Sequence, residues 1–258
     1  MTRRMFPAGR LAVLVLLLGL LATPWAAWAA STVVFRDDGR AQWQQLYKFV
    51  GPTCNTIARN AASLRVTSCP VGGTGSRAAM IWAKPKLSGG IKIEFEYTHF
   101  SAAPVSGGSM SGLMLFASGD GSAGWPTDVT TWGAQCCGNP SGYGPKTWGL
   151  QLNFASRNAP RGNTLMRLRG LKGTKSSYEE IGLSTPDFPF VNSRAYKFTV
   201  VRNGSKVTIS VRDNVTNVTR TLVANHPYIG SLKPGWVGFR QMAGRSSRFA
   251  NLKISTGG

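Results

Sequence analysis

The stretch Tyr196-Lys-Phe-Thr-Val-Val-Arg-Asn-Gly-Ser-Lys-Val-Thr-Ile-Ser-Val211 decides the fold class. Two alternating runs, Tyr196 to Val201 and Lys206 to Val211, flank Asn203-Gly204. Asn-Gly between two such runs is the strongest short-range hairpin signal, because both residues tolerate the positive φ of a tight turn. A period of two also excludes a helix, whose apolar positions recur every three to four residues.

The same period recurs on both sides of this hairpin. Ile91, Ile93, Phe95 and Tyr97 alternate with Lys92, Glu94 and Glu96. Ser111 to Ser118 reads as an apolar strand, and Trp148, Leu150, Leu152 and Phe154 share a face against Gln151 and Asn153. Leu165 to Arg169 places Arg167 and Arg169 on one side. Arg220 to Val223, Gly235 to Arg240 and Phe249 to Ile254 complete at least nine strands, punctuated by the chain's 31 Gly and 14 Pro. Each strand must bury one face, so two antiparallel sheets are expected to pack face to face. With no fixed-period repeat and no Pro/Ser-rich linker, residues 30–258 are expected to form one all-β sandwich domain.

The first thirty residues read as an address. A basic start with Arg3, Arg4 and Arg10 leads into the apolar run Leu11 to Ala22, and Ala27-Trp28-Ala29 supplies a small-x-small cleavage site. These are the three parts of a signal peptide, expected here over residues 1–29. The run ends at Pro24 and is short for a membrane span. Thr2-Arg3-Arg4-Met5-Phe6 also looks like a twin-arginine signal, so Sec and twin-arginine export both stay open. The mature protein is expected in the periplasm or secreted, with no membrane span.

The chain carries 30 Lys plus Arg against 10 Asp plus Glu, a formal +20. Losing Arg3, Arg4 and Arg10 with the signal leaves 27 basic against 10 acidic residues, a net +17. Such a field attracts polyanions. No zinc-finger, helix-turn-helix or RNP pattern is present, so nucleic acid is not expected as partner. No basic amphipathic helix favours a membrane surface. Anionic polysaccharide is the expected partner of an exported, cationic protein.

Four cysteines in an oxidising compartment point to disulfides. Cys54 with Cys69 would close one loop, and Cys136-Cys137 could close on itself; two long cross-bridges are the alternative. Thiol catalysis fits poorly, since only His99 and His226 could serve as base. No cofactor is expected.

Three segments carry a family resemblance. Ile81-Trp-Ala-Lys-Pro-Lys-Leu-Ser-Gly-Gly-Ile-Lys-Ile-Glu-Phe-Glu-Tyr97 is one. Gly149 to Phe154 with Asn163 to Arg169 is the second, and Gly235-Trp-Val-Gly-Phe-Arg-Gln-Met-Ala243 with Phe249 to Ile254 is the third. Over roughly residues 75–255 they resemble the YesU-like family, which is similar to concanavalin A-like lectin/glucanase sandwiches. The resemblance implies a jelly roll and a glycan context rather than a reaction. A structural Ca2+ is compatible with that fold, though Asp120-Gly-Ser is too slight to carry a site.

Three chemistries can be set against the residues. A glycosidase needs two carboxylates at fixed spacing. Glu94 and Glu96 lie i and i+2 on a strand, about 7 Å apart on one face. A polysaccharide lyase must neutralise a uronate, remove a proton and protonate the leaving oxygen. Gln151, Asn153, Arg157, Arg167 and Arg169 could line such a groove, with His99 or Tyr143 as base. A binding module needs only the groove, the charge and aromatic platforms. Trp125, Trp132, Tyr143 and Trp148 flank the Gly-rich 119–149 segment, and Trp148 is also a core candidate with Trp236. The functional expectation is polysaccharide binding or degradation in a sheet groove, with a non-catalytic carbohydrate-binding or cell-surface interaction protein as the alternative.

Overall fold

A computed structural model describes residues 31–50, 55–68, 79–100, 111–119, 147–157, 164–172, 178–183, 190–241 and 246–257. The expected signal segment, all four cysteines, Asp120, Trp125, Trp132 and Tyr143 lie outside the described residues.

The described chain is almost entirely strand: β1 (Thr32–Arg36), β2 (Tyr47–Val50), β3 (Thr56–Asn60), β4 (Ser63–Thr67), β5 (Ala79–Ala83), β6 (Ile91–His99), β7 (Ser111–Gly119), β8 (Thr147–Arg157), β9 (Thr164–Lys172), β10 (Tyr178–Leu183), β11 (Ala195–Asn203), β12 (Lys206–Asp213), β13 (Thr219–Asn225), β14 (Trp236–Gln241) and β15 (Ser246–Thr256). Two single-turn helices, α1 (Trp43–Leu46) and α2 (Pro227–Gly230), sit between strands. The first sheet runs β13-β12-β11-β6-β15-β4-β3, with β1 also on β15; the second runs β10-β9-β8-β7-β14-β5-β2. Every described pairing of named strands is antiparallel. The expected two-sheet antiparallel jelly-roll sandwich is therefore the observed fold.

The hairpin that set the fold class forms with its turn one residue later than Asn203-Gly204. Asn203 pairs with Lys206, leaving Gly204 and Ser205 as the loop. Gly204 takes φ 56, and glycine at the first loop position is the type II′ arrangement. Glu179 and Glu180, which look like loop residues by composition, belong to β10.

The core lies between the sheets. Ile91, Ile93, Phe95 and Tyr97 all face it, as do Phe198 and Val200 from β11, and Leu150 and Leu152 from β8. Phe95 stacks on Phe198 at 4.8 Å within the first sheet, and Phe249 stacks on Phe239 of the second sheet at 4.1 Å. Each such ring adds about 1.5–3 kcal/mol by burial.

β15 pairs with β6 along one edge, and a bulge lets it serve two neighbours along the other. Its first half pairs with β4 and its second half with β1, and the register shifts between Ala250 and Lys253. Asn251 absorbs the irregularity at φ 55, with its N–H on Ala62 O. Asparagine is one of the few side chains that tolerates this region.

Candidate functional site

The residues that gather on one surface are set by alternation in the second sheet. Leu150, Leu152, Met166, Leu168, Val237, Phe239 and Ile81 point into the core. Their neighbours Gln151, Asn153, Arg167, Arg169, Gly238, Arg240, Met80 and Trp82 take the opposite face. Register aligns them in two cross-strand rows. One row runs Lys48, Trp82, Gly238, Met114, Gln151, Arg169; the next runs Val50, Met80, Arg240, Gly112, Asn153, Arg167.

These positions face away from the core, yet most are sealed from bulk solvent. Trp82 and Gln151 are 0% exposed, Asn153 2%, Arg240 3% and Arg169 5%. Among the described residues the two carboxamides have no hydrogen-bond partner on either atom: Gln151 Oε1 and Nε2, and Asn153 Oδ1 and Nδ2, stand unpaired, as does Trp82 Nε1. A buried polar group without a partner costs about 1–3 kcal/mol, so four amide atoms on two adjacent outward positions call for an explanation. Low local polarity also raises the worth of any hydrogen bond later made to them.

Two glycines shape this surface. A Cβ on Gly238 would lie 2.4 Å from Trp82 Cε3 and 2.8 Å from Ile81 O, so the indole lies across the neighbouring strand. A Cβ on Gly112 would lie 3.5 Å from Asn153 Oδ1 and 3.7 Å from Arg240 Cβ, so this glycine gives both side chains room. Gly238→Ala is expected to lose about 1–3 kcal/mol by overpacking. Denaturant unfolding checks this, and a change within about 0.5 kcal/mol, the range of neutral surface substitutions, would contradict the close approach.

The other candidate residues sort away from this surface. Glu94 and Glu96 stand on the outer face of the first sheet, across the sandwich. Glu94 bonds Lys92 Nζ at 3.0 Å and lies 3.7 Å from Lys253 Nζ. Partial burial pulls its pKa up, but the Lys92 hydrogen bond and the charges of Lys92, Lys253 and Lys197 outweigh it and hold the carboxyl below its usual value. It is thus a carboxylate at neutral pH and a poor general acid. His99 ends β6 and Arg157 ends β8; their backbones are placed, their side chains are not described. Trp148 is 39% exposed at the start of β8 and pairs with Lys172, at an end of the sheet, whereas Trp236 is buried.

Near Trp148 lies a closed ionic cluster. Glu179 bonds Lys172 Nζ at 2.8 Å and His226 Nε2 at 2.9 Å, while His226 Nδ1 accepts the Tyr228 N–H at 3.2 Å. Both imidazole nitrogens are occupied, so His226 has no lone pair to offer as a base. Among the described residues, no three His, Cys, Asp or Glu side chains converge as metal ligands.

Sequence reading found Gln151, Asn153, Arg167 and Arg169 but missed Arg240 and Trp82. Alternation within Gly235 to Arg240 sets Arg240 opposite Phe239, a signal available from the sequence. Trp82 had none, because Ala79-Met-Ile-Trp-Ala83 is buried on both faces and does not alternate.

No family model and no curated protein matches this sequence. Solved structures do. One is a protein of unknown function with a galectin-like fold from Bacillus subtilis, at 16% identity, TM-score 0.60, covering 88% of this chain and 98% of that one. A legume lectin-like domain from Entamoeba histolytica matches at 11% identity, TM-score 0.58, covering 89% and 100%. The carbohydrate-binding module CBM66 from Bacillus subtilis matches at 12% identity, TM-score 0.51, covering 81% and 95%. At these identities the likeness is one of fold, the concanavalin A-like lectin sandwich.

Proposed function

We propose that this chain is an exported carbohydrate-binding protein that takes a polysaccharide against the outer face of the second sheet. The observation that carries the reading is the pair of buried, partnerless carboxamides of Gln151 and Asn153. They stand about 6.6 Å apart along one strand, beside Arg167, Arg169 and Arg240. Carboxamides both donate and accept, as sugar hydroxyls do, so a glycan supplies the partners they lack. The arginines favour a carboxylate-bearing sugar through charge-assisted bonds, and the net charge of +17 left after loss of the signal favours its approach. The lectin-type fold, shared with a legume lectin-like domain and a carbohydrate-binding module, supports the carbohydrate class.

The wider reading joins this to the sequence. Residues 1–29 act as a signal peptide cleaved after Ala29, residues 30–258 form a single jelly-roll domain in the periplasm or outside the cell, and the resemblance over 75–255 groups the chain with YesU-like proteins. Binding is preferred to glycoside hydrolysis because Glu94 and Glu96, the best carboxylate pair in the sequence, sit on the opposite sheet.

Affinity electrophoresis of the mature protein tests this. Polygalacturonate in the gel should retard it more than a neutral glucan, and the retardation should shrink as salt rises. Arg169→Gln should weaken retention about tenfold, the scale of one lost charge-assisted bond. Equal mobility in every glycan gel would end the proposal. Ultraviolet absorbance growing during incubation with polyuronate would instead mark lyase chemistry.

A further inference from the structure

The outer face of the first sheet carries an arrangement that the sugar-binding reading does not use. Three times, two cations stand directly opposite each other on neighbouring strands: Arg65 with Arg248, Arg36 with Lys253, and Lys197 with Arg212. Like charges in register destabilise a sheet. The chain's wealth of basic residues makes some such pairs unsurprising, but the Arg65–Arg248 pair is built in a way composition does not explain.

Both guanidinium groups are drawn over one ring. Arg65 Cζ lies 4.9 Å and Arg248 Cζ 5.8 Å from the centroid of Phe100. Arg65 Nε donates to Ser246 Oγ at 2.8 Å, and Arg248 NH2 to Thr98 Oγ1 at 3.2 Å. These contacts fix the two forks side by side and leave most of their donors unspent. Both residues are exposed, and neither makes an ion pair with a carboxylate among the described residues. Two oriented guanidinium groups sharing a ring and lacking an acid match what an oxyanion requires. Lys253, by contrast, reaches Glu94 at 3.7 Å, and Arg212 donates to Asn217 Oδ1 at 2.7 Å, so those pairs are partly spent on the chain itself.

We propose that Arg65 and Arg248 form a second anion site, on the face opposite the sugar surface, that holds a carboxylate or sulfate group of an acidic polysaccharide. The other two cation pairs each meet a carboxylate in register, Lys253 facing Glu94 and Lys197 facing Glu96, whereas Arg65 and Arg248 face Ala58 and Thr98 on their other sides. Beyond Glu94 the same cross-strand row presents hydroxyls, from Thr199, Ser210 and Thr221, and hydroxyls suit sugar. It offers no exposed aromatic ring among the described residues for base stacking or membrane insertion, since the exposed large apolar side chains apart from Trp148 are all valines. With one site on each sheet, a molecule can hold two chains, or two stretches of one chain.

The site stands apart from the sugar surface, so it is tested with that surface disabled. In mature protein carrying Gln151→Met and Asn153→Leu, calorimetric titration with oligogalacturonate should still show binding with a steep salt dependence. Adding Arg65→Ser and Arg248→Ser should cut that affinity about tenfold or more and flatten its salt dependence. Without ligand, the arginine variant should melt at the same temperature or higher, because a like-charge pair has been relieved; a purely structural role would lower it. Unchanged affinity in the arginine variant, or a lower melting temperature with no change in binding, overturns the proposal. So does tighter binding of single-stranded DNA or of phosphatidylglycerol vesicles than of the uronide. Failure of the Gln151 and Asn153 variants to weaken sugar binding would count against the first surface only.

Discussion

Asp37→Ala is expected to lower folding stability by about 3–5 kcal/mol, the cost of breaking a buried ion pair and stranding its partner. The Asp37 carboxylate is almost wholly buried and takes four hydrogen bonds. Oδ1 accepts from Arg59 NH2 at 2.7 Å and from Gly39 N at 3.1 Å; Oδ2 accepts from Tyr47 OH at 3.0 Å and from Arg59 NH1 at 3.2 Å. Tyr47 belongs to β2 in the second sheet and Arg59 to β3 in the first, so one carboxylate ties the two layers together. Removing it leaves the Arg59 side chain, 15% exposed, without its counter-charge, and the buried Tyr47 hydroxyl without an acceptor. Thermal unfolding should show a midpoint lower by about 10 °C at this chain length. A loss below about 1 kcal/mol, the range of an exposed pair, would show that the clamp is not buried as described. The same cluster predicts alkaline sensitivity. Burial, then the Asp37 charge, hold the Tyr47 pKa well above its ordinary 10.0. The folded state therefore keeps a proton that the unfolded state releases. Stability from this group is intact below pH 10 and falls as pH rises beyond it, and Tyr47→Phe should blunt that fall.

Gln151→Met combined with Asn153→Leu should move stability and binding in opposite directions. Replacing a partnerless buried carboxamide by an apolar group of similar shape removes a desolvation penalty, so the double variant should gain about 1–2 kcal/mol. The same change deletes the groups proposed to meet the sugar, and affinity should fall about 100-fold, or about 2.7 kcal/mol. Residues held in an unfavourable state for the sake of a ligand produce this trade. Paired denaturant unfolding and glycan titration decide it. If the double variant is less stable than the parent, the amides are satisfied within the protein and the argument for a ligand there fails. If it is more stable and binds equally well, the polar pair has no part in sugar recognition.

How far the sequence could be read depended on each strand's surroundings. β11 and β12 were plain because one face is buried and the other wet, which forces alternation. β5 was invisible as a strand by period because its residues are covered on both faces. β10 was hidden by Glu179 and Glu180, whose charges look like loop, although Glu179 finds Lys172 and His226 on neighbouring elements. β1 to β4 are only four or five residues each, too short for a period to show.

Local chemistry determined the fold class, the basic balance, and which residues within β8 and within β9 share a face, since alternation needs only neighbours along the chain. The tertiary structure alone decided that Glu94 and Glu96 lie across the sandwich from Arg167 and Arg169, that Arg240 and Trp82 join Gln151, and that Arg65 faces Arg248. It also decided that Asp37 meets Arg59 and Tyr47, and that Gln151 and Asn153 are sealed from water. Those facts follow from sheet order and register, which packing of the whole core sets between segments as much as 224 residues apart, as with Thr32 and Thr256, and no local period carries that information.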